Sequence, residues 1–235
     1  PKAEWSTHTP NSAWSGTMDV VLSFYALEHV ADLQEALGNI KNMLKVGGNF
    51  YFLVPNVYKN TADFIVADHI NHFSKVSLYY LLSLHGFSNI DIDEEIHESA
   101  FVVRATLTSR NKINDITLSE EQLHQIPKLK NSTLRMSSYW TDVIERIQNF
   151  EIDAAEEQLA VYGAGFYGNF IATAMKNPKK ITCFIDQNKH LTNTEINGKP
   201  VLDPENIPKE VKHILVGMNP ERAKENIDQI EALKV

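Results

Sequence analysis

The sequence contains one cysteine, no long apolar run and no excess of basic residues, and each of these shortages excludes a class of protein. The single thiol, Cys183, rules out an internal disulfide and a cysteine-based metal site. No stretch reaches the roughly 18 consecutive apolar residues of a membrane span, and the first residues do not show a signal-peptide pattern. We therefore expect a protein of the reduced cytoplasm that has no membrane partner.

The charge balance is acidic, with 22 Lys and Arg against 30 Asp and Glu and a formal net charge of -8. Nucleic-acid binding needs clustered basic side chains to neutralise phosphates, so we expect no nucleic-acid partner. The 235 residues, 43% of them hydrophobic, suit one large or two small globular domains.

Alternating strand and helix patterns predict an α/β fold. MDVVLSF, from Met18, is typical of a buried strand of a parallel sheet. A helix with apolar residues at helical spacing follows, and Gly47 and Gly48 are expected to end it after Lys45. NFYFLV is the next strand, and SKVSLYYLLSL is a helix with Ser74 as its N-cap. Two more strands are predicted near Ile90–Glu94 and Phe101–Leu107.

The second half repeats this architecture after a helical stretch. Two helices separated by Pro127 are predicted between about residues 111 and 158. QLAVYG, KITCFID and HILVGM then read as strands, with a helix in FYGNFIATAMKN. We predict a partial Rossmann-like sheet over residues 1–108, a helical connector over 109–157 and a second Rossmann-like domain over 158–235.

The loop that leaves the first strand, SFYALEH, is the first candidate site. Ligands of open parallel sheets bind beyond the carboxyl ends of the strands, so Ser23–His29 are placed to contact a cofactor. A plain strand–helix loop with solvated side chains explains the same pattern equally well.

Three ordered blocks make this region similar to a known family. DVVLSFYALEHV, LKVGGNFYFLVPN and ADHINHFSKVSLYYLLSLHGF resemble the second half of class I S-adenosylmethionine-dependent methyltransferases, over roughly Met18 to Leu107. The resemblance implies that S-adenosyl-L-methionine is the cofactor. It also implies that the methionine end of the cofactor meets Ser23, Phe24, Tyr25, Glu28 and His29.

The family's glycine-rich loop and ribose-binding acid should precede Asp19 by many tens of residues, but only eighteen residues stand there. We therefore expect that the cofactor half of the sheet is missing and that this chain alone is inactive and binds the cofactor poorly. The strand edge left open predicts self-association, so a homo-oligomer is considered.

A second motif, GAGFYG, lies after the strand of the second domain. Gly163, Gly165 and Gly168 form G-x-G-x-x-G at the start of a helix, and Asp186 follows 21 residues after Gly165. This context suits phosphate binding at a helix N-terminus, and it leaves an NAD-dependent oxidoreductase and a non-catalytic nucleotide-sugar-binding module open. Glycines that only permit tight packing, with Asp186 capping a loop, are the structural alternative.

The region from about Ser132 to Leu233 resembles the C-terminal domain of sugar C-methyltransferases, on VYGAGFYG, CFIDQN, INGKPVLDPENIP and HILVGMNP. The resemblance implies a Rossmann-like substrate domain and a small-molecule substrate, a nucleotide-linked sugar or a similar small anionic metabolite. The implied substrate-binding residues are Gly163, Gly165, Tyr167, Gly168 and Asp186.

The same family places its catalytic residues in Y-x-E-H-x-x-Y-F-S, which aligns with VADHINHFS. His69 matches the histidine and Asp68 replaces the glutamate, so both are implied to be catalytic. Val66 stands where the tyrosine would be, which leaves O- and N-methyl transfer open beside C-methyl transfer. Without the family, a capping or packing role for His69 and His72 is the favoured interpretation. No metal site is predicted, because His69, His72 and His85 do not show a metal-ligand spacing.

Overall fold

The computed structural model describes residues 12–111, 116–154 and 156–230. The chain divides into two compact units, Pro1–Ser137 and Ser138–Val235. The first unit contains β1 (Met18–Phe24), α1 (Leu33–Met43), β2 (Leu44–Pro55), α2 (Lys75–Leu84), β3 (Phe87–Asp93) and β4 (Ala100–Leu107). Helix α3 (Glu120–Asp153) contributes residues to both units. The second unit contains β5 (Gln158–Tyr162), α4 (Phe166–Ala174), β6 (Ile181–Ile185), β7 (Glu195–Ile196), β8 (Lys199–Leu202), β9 (Val211–Val216) and α5 (Ala223–Asp228).

The first unit is built on a four-stranded mixed sheet in the order β1-β2-β4-β3. β1 and β2 are parallel, whereas β4 is antiparallel to both β2 and β3. Its core is a cluster of fully buried side chains from the sheet and the two helices, among them Phe50, Phe52, Phe101, Leu37, Leu78 and Leu82. The predicted α/β class and the strands near Ile90–Glu94 and Phe101–Leu107 are confirmed.

β1 is less buried than its apolar sequence predicted. Among the residues that the structure describes, it pairs with β2 alone, and Val20, Leu22 and Phe24 are 51%, 59% and 53% exposed. Successive side chains of a strand point to opposite faces, so Val21 still packs on the core while Val20, Leu22 and Phe24 on the opposite face are exposed.

The end of α1 and the bounds of α3 also differ from the prediction. α1 ends at Met43 and β2 begins at Leu44, so Gly47 lies inside β2 with φ +90° and permits the break in register between β1 and β2. α3 is one 34-residue helix that contains Pro127. A proline removes one N–H from the hydrogen-bond ladder, and here the flanking turns continue the helix across that gap.

The second unit has a five-stranded sheet in the order β7-β8-β6-β5-β9. β8, β6, β5 and β9 are parallel, and β7 forms an antiparallel hairpin with β8. β5, the first strand of this unit, has β6 on one side and β9 on the other. The sheet therefore has a topological switch point between β5 and β9, where ligands of such folds bind.

Helix length and composition bear on membrane insertion. In the part of the chain that the structure describes, none of the helices is long and apolar enough to cross a membrane.

Candidate functional site

Two loops meet at the carboxyl end of the parallel pair β1 and β2. The loop after β1 contains Leu27 and Glu28, and the segment after β2 contains Asn71. The backbone N–H groups of Ile70 and Asn71 donate to the Glu28 carbonyl oxygen at 3.0 and 3.1 Å. The Asn71 side-chain amide donates to the carbonyl oxygens of Leu27 and Val30 at 3.0 and 2.6 Å. These bonds hold the segment that contains His69, Asn71 and His72 against the loop after β1.

A buried carboxylate orients two histidines in this segment. The side chain of Asp63 is fully buried, and its two oxygens lie 2.9 Å from His69 Nδ1 and 2.7 Å from His72 Nδ1. An ionised carboxylate only accepts hydrogen bonds, so each Nδ1 carries the proton that it donates. This tautomer leaves Nε2 of His69 with a lone pair that can accept a proton.

Glu28 and His29 complete the cluster. The Glu28 side chain is only 1% exposed, with Oε1 4.0 Å from His29 Nε2. His29 Nδ1 lies 3.0 Å from the Asp68 carbonyl oxygen. The ring centroids of His29 and His69 are 4.9 Å apart, and the angle between the two ring planes is 73°. Burial raises the pKa of Glu28 above its usual range, and the nearby Asp63 carboxylate acts in the same direction.

The structure therefore brings three of the sequence-predicted residues together: Glu28, His29 and His69. Asp68, the other predicted catalytic residue, has a side chain that is 74% exposed and contacts His29 Nδ1 through Oδ2 at 3.2 Å. Its catalytic role stays a prediction. Asp63 was not predicted, because a carboxylate six residues before His69 in a loop follows no helical or strand period that would pair the two side chains.

The remaining predicted cofactor contacts lie at the end of β1. Ser23 is half-buried, whereas Phe24 and Tyr25 are 53% and 43% exposed. Tyr25 adopts φ +49°, and its hydroxyl lies 3.0 Å from His97 Nε2. These side chains are accessible from solvent, but whether they contact a cofactor stays a prediction.

In the second unit the glycines of GAGFYG have two different environments. A Cβ on Gly168 would lie under 3.0 Å from the Gly163 carbonyl oxygen, and a Cβ on Gly163 would also lie under 3.0 Å from the Gly217 carbonyl oxygen. Gly163 also has φ +96°, which side chains rarely adopt. A Cβ on Gly165 would meet no described atom within 4 Å. Gly163 and Gly168 thus serve close backbone packing, and Gly165 borders open space.

Asp186 supports this loop from β6. Its Oδ2 accepts a hydrogen bond from the Ala164 backbone N–H at 2.8 Å, and its Oδ1 accepts one from Asn188 N–H at 2.8 Å. The carboxylate therefore caps the glycine turn, as the structural alternative predicted. A contact between Asp186 and a substrate stays a prediction.

A cavity of about 560 Å³ lies next to the glycine turn in the second unit. Its lining is largely apolar and aromatic, with Trp140, Tyr167, Phe170 and Met218, and Arg146 is its cationic side chain. The ring centroid of Trp140 lies 6.3 Å from that of Tyr167, in a stacked arrangement. It lies 5.0 Å from the ring centroid of Phe170, in an edge-to-face arrangement. Of the predicted substrate-binding residues, Tyr167 reaches this cavity.

Comparisons with known proteins find similarity to methyltransferases. Residues 3–92 match a family model described as a methyltransferase domain. Similar solved structures include the CurJ carbon methyltransferase, at 17% identity over 41% of this chain and 31% of that chain, with a TM-score of 0.34. Others are S-adenosylmethionine-dependent methyltransferases of Thermotoga maritima and Mesorhizobium loti, at 19% and 16% identity. They cover 40% and 42% of this chain and 57% and 64% of theirs, with TM-scores of 0.34 and 0.33.

The extent of these matches is limited. The chain spans about a third of the CurJ structure, and no curated protein matches it. The match over residues 3–92 nevertheless includes β1, α1, β2, α2 and the cluster around Asp63. Residues 3–92 are therefore similar to a methyltransferase domain, and the cofactor that this family implies is S-adenosyl-L-methionine.

Proposed function

We propose that this chain carries the acceptor-side catalytic residues of an S-adenosylmethionine-dependent methyltransferase that acts on a nucleotide-linked sugar or a similar small anionic metabolite. The observation that carries the proposal is the Asp63–His69 pair, joined at 2.9 Å beside the loop that leaves β1. This is the arrangement of a histidine general base with an orienting carboxylate.

In the proposed reaction His69 acts as the base. When bound, S-adenosyl-L-methionine supplies a methyl group on a positively charged sulfur. Nε2 of His69 accepts the proton of the acceptor group, so that the electron pair of that group becomes available for a new bond to the methyl carbon, whose bond to sulfur would break. Asp63 holds the ring by Nδ1 and stabilises the imidazolium that results, because its buried carboxylate lies against the proton-bearing nitrogen.

The loop after β1 offers residues that fit the cofactor. Ser23, Phe24 and Tyr25 follow the carboxyl end of a parallel strand, and the two aromatic rings expose apolar surface to solvent. Glu28 and His29 instead point into the histidine cluster. We propose that the first three contact the methionine end of the cofactor and that the last two lie near its reactive methyl group.

Two features of the second unit support an anionic substrate that contains a planar ring. Helix α4 begins after Gly165, where no side chain of the described residues caps the first turn, so backbone N–H groups are available to an anion. The neighbouring 560 Å³ cavity offers Trp140 and Tyr167 for a planar ring. Asp186 already accepts two backbone hydrogen bonds, so a dinucleotide ribose contact is not favoured.

A ligand screen tests the substrate class. We expect uridine or thymidine diphosphate to raise the unfolding temperature of the chain in a thermal-shift assay, whereas NAD should not. A ligand at 100 times its dissociation constant stabilises the folded state by about 2.7 kcal/mol, which is readily measured. Stabilisation by NAD alone would contradict a sugar-nucleotide substrate and favour an oxidoreductase.

Substitution of the orienting carboxylate tests the catalytic assignment. In the full-length protein, Asp63→Asn should lower kcat for methyl transfer by about 10- to 100-fold with little change in KM, because the amide can donate to Nδ1 and favour the wrong tautomer of His69. Transfer of labelled methyl groups and the pH dependence of kcat are the measurements. A fall in kcat with an unchanged pH profile and a lower unfolding temperature would indicate a structural role instead.

A further inference from the structure

The cluster around His69 contains a second arrangement that base catalysis does not require. Glu28, His29 and His69 each present one ligand atom, and the three atoms lie within 4.8 Å of one another. Glu28 Oε1 lies 4.0 Å from His29 Nε2. A carboxylate and two imidazoles on separate segments of the chain thus converge on one point.

Both histidines have the hydrogen-bonding partners typical of metal ligands. His69 donates from Nδ1 to the Asp63 carboxylate at 2.9 Å. His29 donates from Nδ1 to the Asp68 carbonyl oxygen at 3.0 Å, and the Asp68 carboxylate lies 3.2 Å from the same nitrogen. Metal-binding histidines usually donate their second ring N–H to a carboxylate or carbonyl, which orients the ring and makes the other nitrogen a better ligand. Nε2 of each ring is therefore the nitrogen left for a cation.

Glu28 supplies an independent observation. Its side chain is 1% exposed, and within the described part of the chain its Oε2 has no hydrogen-bond partner. A buried carboxylate oxygen without a partner is unfavourable, and buried carboxylates are ordinarily paired with a cation or bound to a metal. A positive ion between Glu28 and the two rings would satisfy this atom.

We propose that Glu28, His29 and His69 form a site for a divalent transition-metal ion, with Zn²⁺ as the best-fitting ion. Two imidazole nitrogens and one carboxylate oxygen are a common set of protein ligands for Zn²⁺ and leave a fourth position open, whereas Mg²⁺ and Ca²⁺ prefer oxygen ligands alone. Ligand atoms of a tetrahedral site are about 3.3 Å apart at Zn–N distances near 2 Å. From separations of up to 4.8 Å, the ligands must therefore approach one another by up to about 1.5 Å, and the His29 ring, 37% exposed, has room to turn.

This inference goes beyond the proposed methyl transfer and does not depend on it. The two roles exclude each other at one atom, because the Nε2 lone pair of His69 can bind either a proton or a metal ion. Metal occupancy would thus switch off the base. Binding itself can be measured on the chain without cofactor or acceptor, so failure of one proposal is distinguishable from failure of the other.

The test is a titration of the chain with ZnCl₂ by calorimetry and with CoCl₂ by visible absorption, with MgCl₂ as the comparison ion. We expect one Zn²⁺ per chain and a tetrahedral Co²⁺ spectrum. Glu28→Gln and His29→Gln should each weaken Zn²⁺ binding at least tenfold. His190→Gln, at an exposed histidine of the second unit, should leave the affinity unchanged.

Two results would overturn the proposal. One is the absence of stoichiometric Zn²⁺ binding to the unsubstituted chain. The other is equal Zn²⁺ affinity in the unsubstituted chain and in both ligand variants, which would assign binding to other histidines. If Glu28→Gln does not fold, as judged by circular dichroism, His29→Gln decides alone, because its exposed ring makes little contribution to the core.

Discussion

Replacing Gly168 by alanine is expected to destabilise the second unit by more than about 3 kcal/mol. The new Cβ would lie under 3.0 Å from the Gly163 carbonyl oxygen, and backbone cannot move aside as the tip of a flexible side chain can. Gly163 cannot move away from the new Cβ, because Gly163 is itself packed closely against the backbone of Gly217. The whole contact between the turn after β5, helix α4 and the end of β9 would have to open. The measurement is the midpoint of urea unfolding, followed by circular dichroism.

Gly165→Ala is the matched control for this prediction. It changes a glycine in the same turn, three residues earlier, where an added Cβ meets no described atom within 4 Å and φ is -94°. We expect a change in unfolding free energy below about 1 kcal/mol, the range for loss of a favourable N-cap residue. If both substitutions destabilised the unit equally, the effect would belong to helix capping and the packing explanation would be wrong.

His69→Gln is expected to lower kcat for methyl transfer by about 10²- to 10⁴-fold, the usual contribution of a positioned general base. Glutamine is similar in size and can donate to Asp63, but its amide cannot accept a proton at neutral pH. Binding of cofactor and acceptor should change little, so KM should stay within a few-fold of its original value. The assay is transfer of labelled methyl groups by the full-length protein.

His124→Gln serves as the control, because His124 is an exposed histidine on α3. Its kcat should equal that of the unsubstituted protein. A parallel loss of kcat and of cofactor affinity in His69→Gln would identify His69 as a structural residue of the loop, in agreement with the capping interpretation of the sequence.

Elements with strong local signals were predicted well. Ser74, the predicted N-cap, forms a capping box with Ser77 at the start of α2. The hairpin of β7 and β8, which was not predicted, also has a local signal. It turns through Asn197 and Gly198, both with positive φ, and an Asn-Gly pair is typical of two-residue hairpin turns.

The composition of the histidine cluster could be predicted only in part. His69 and Glu28 stood out in motifs, but nothing in their neighbourhood along the chain showed that they share one site. Asp63 was missed because its importance comes from complete burial between two rings, and burial of a carboxylate is a property of the packed loop. Likewise, the role of Asp186 depended on a hydrogen bond across 22 positions to Ala164.

The sequence by itself determined the α/β class, most of the helices and strands and the similarity of the first unit to methyltransferases, because periodicity, caps and glycine motifs are encoded over a few residues. Only the tertiary structure decided that β1 exposes the side chains of one face, that Gly168 serves packing while Gly165 borders open space, and that Glu28, His29 and His69 converge. Those properties depend on distances between segments far apart in the chain. Such distances arise only when the sheets form and bring the segments together.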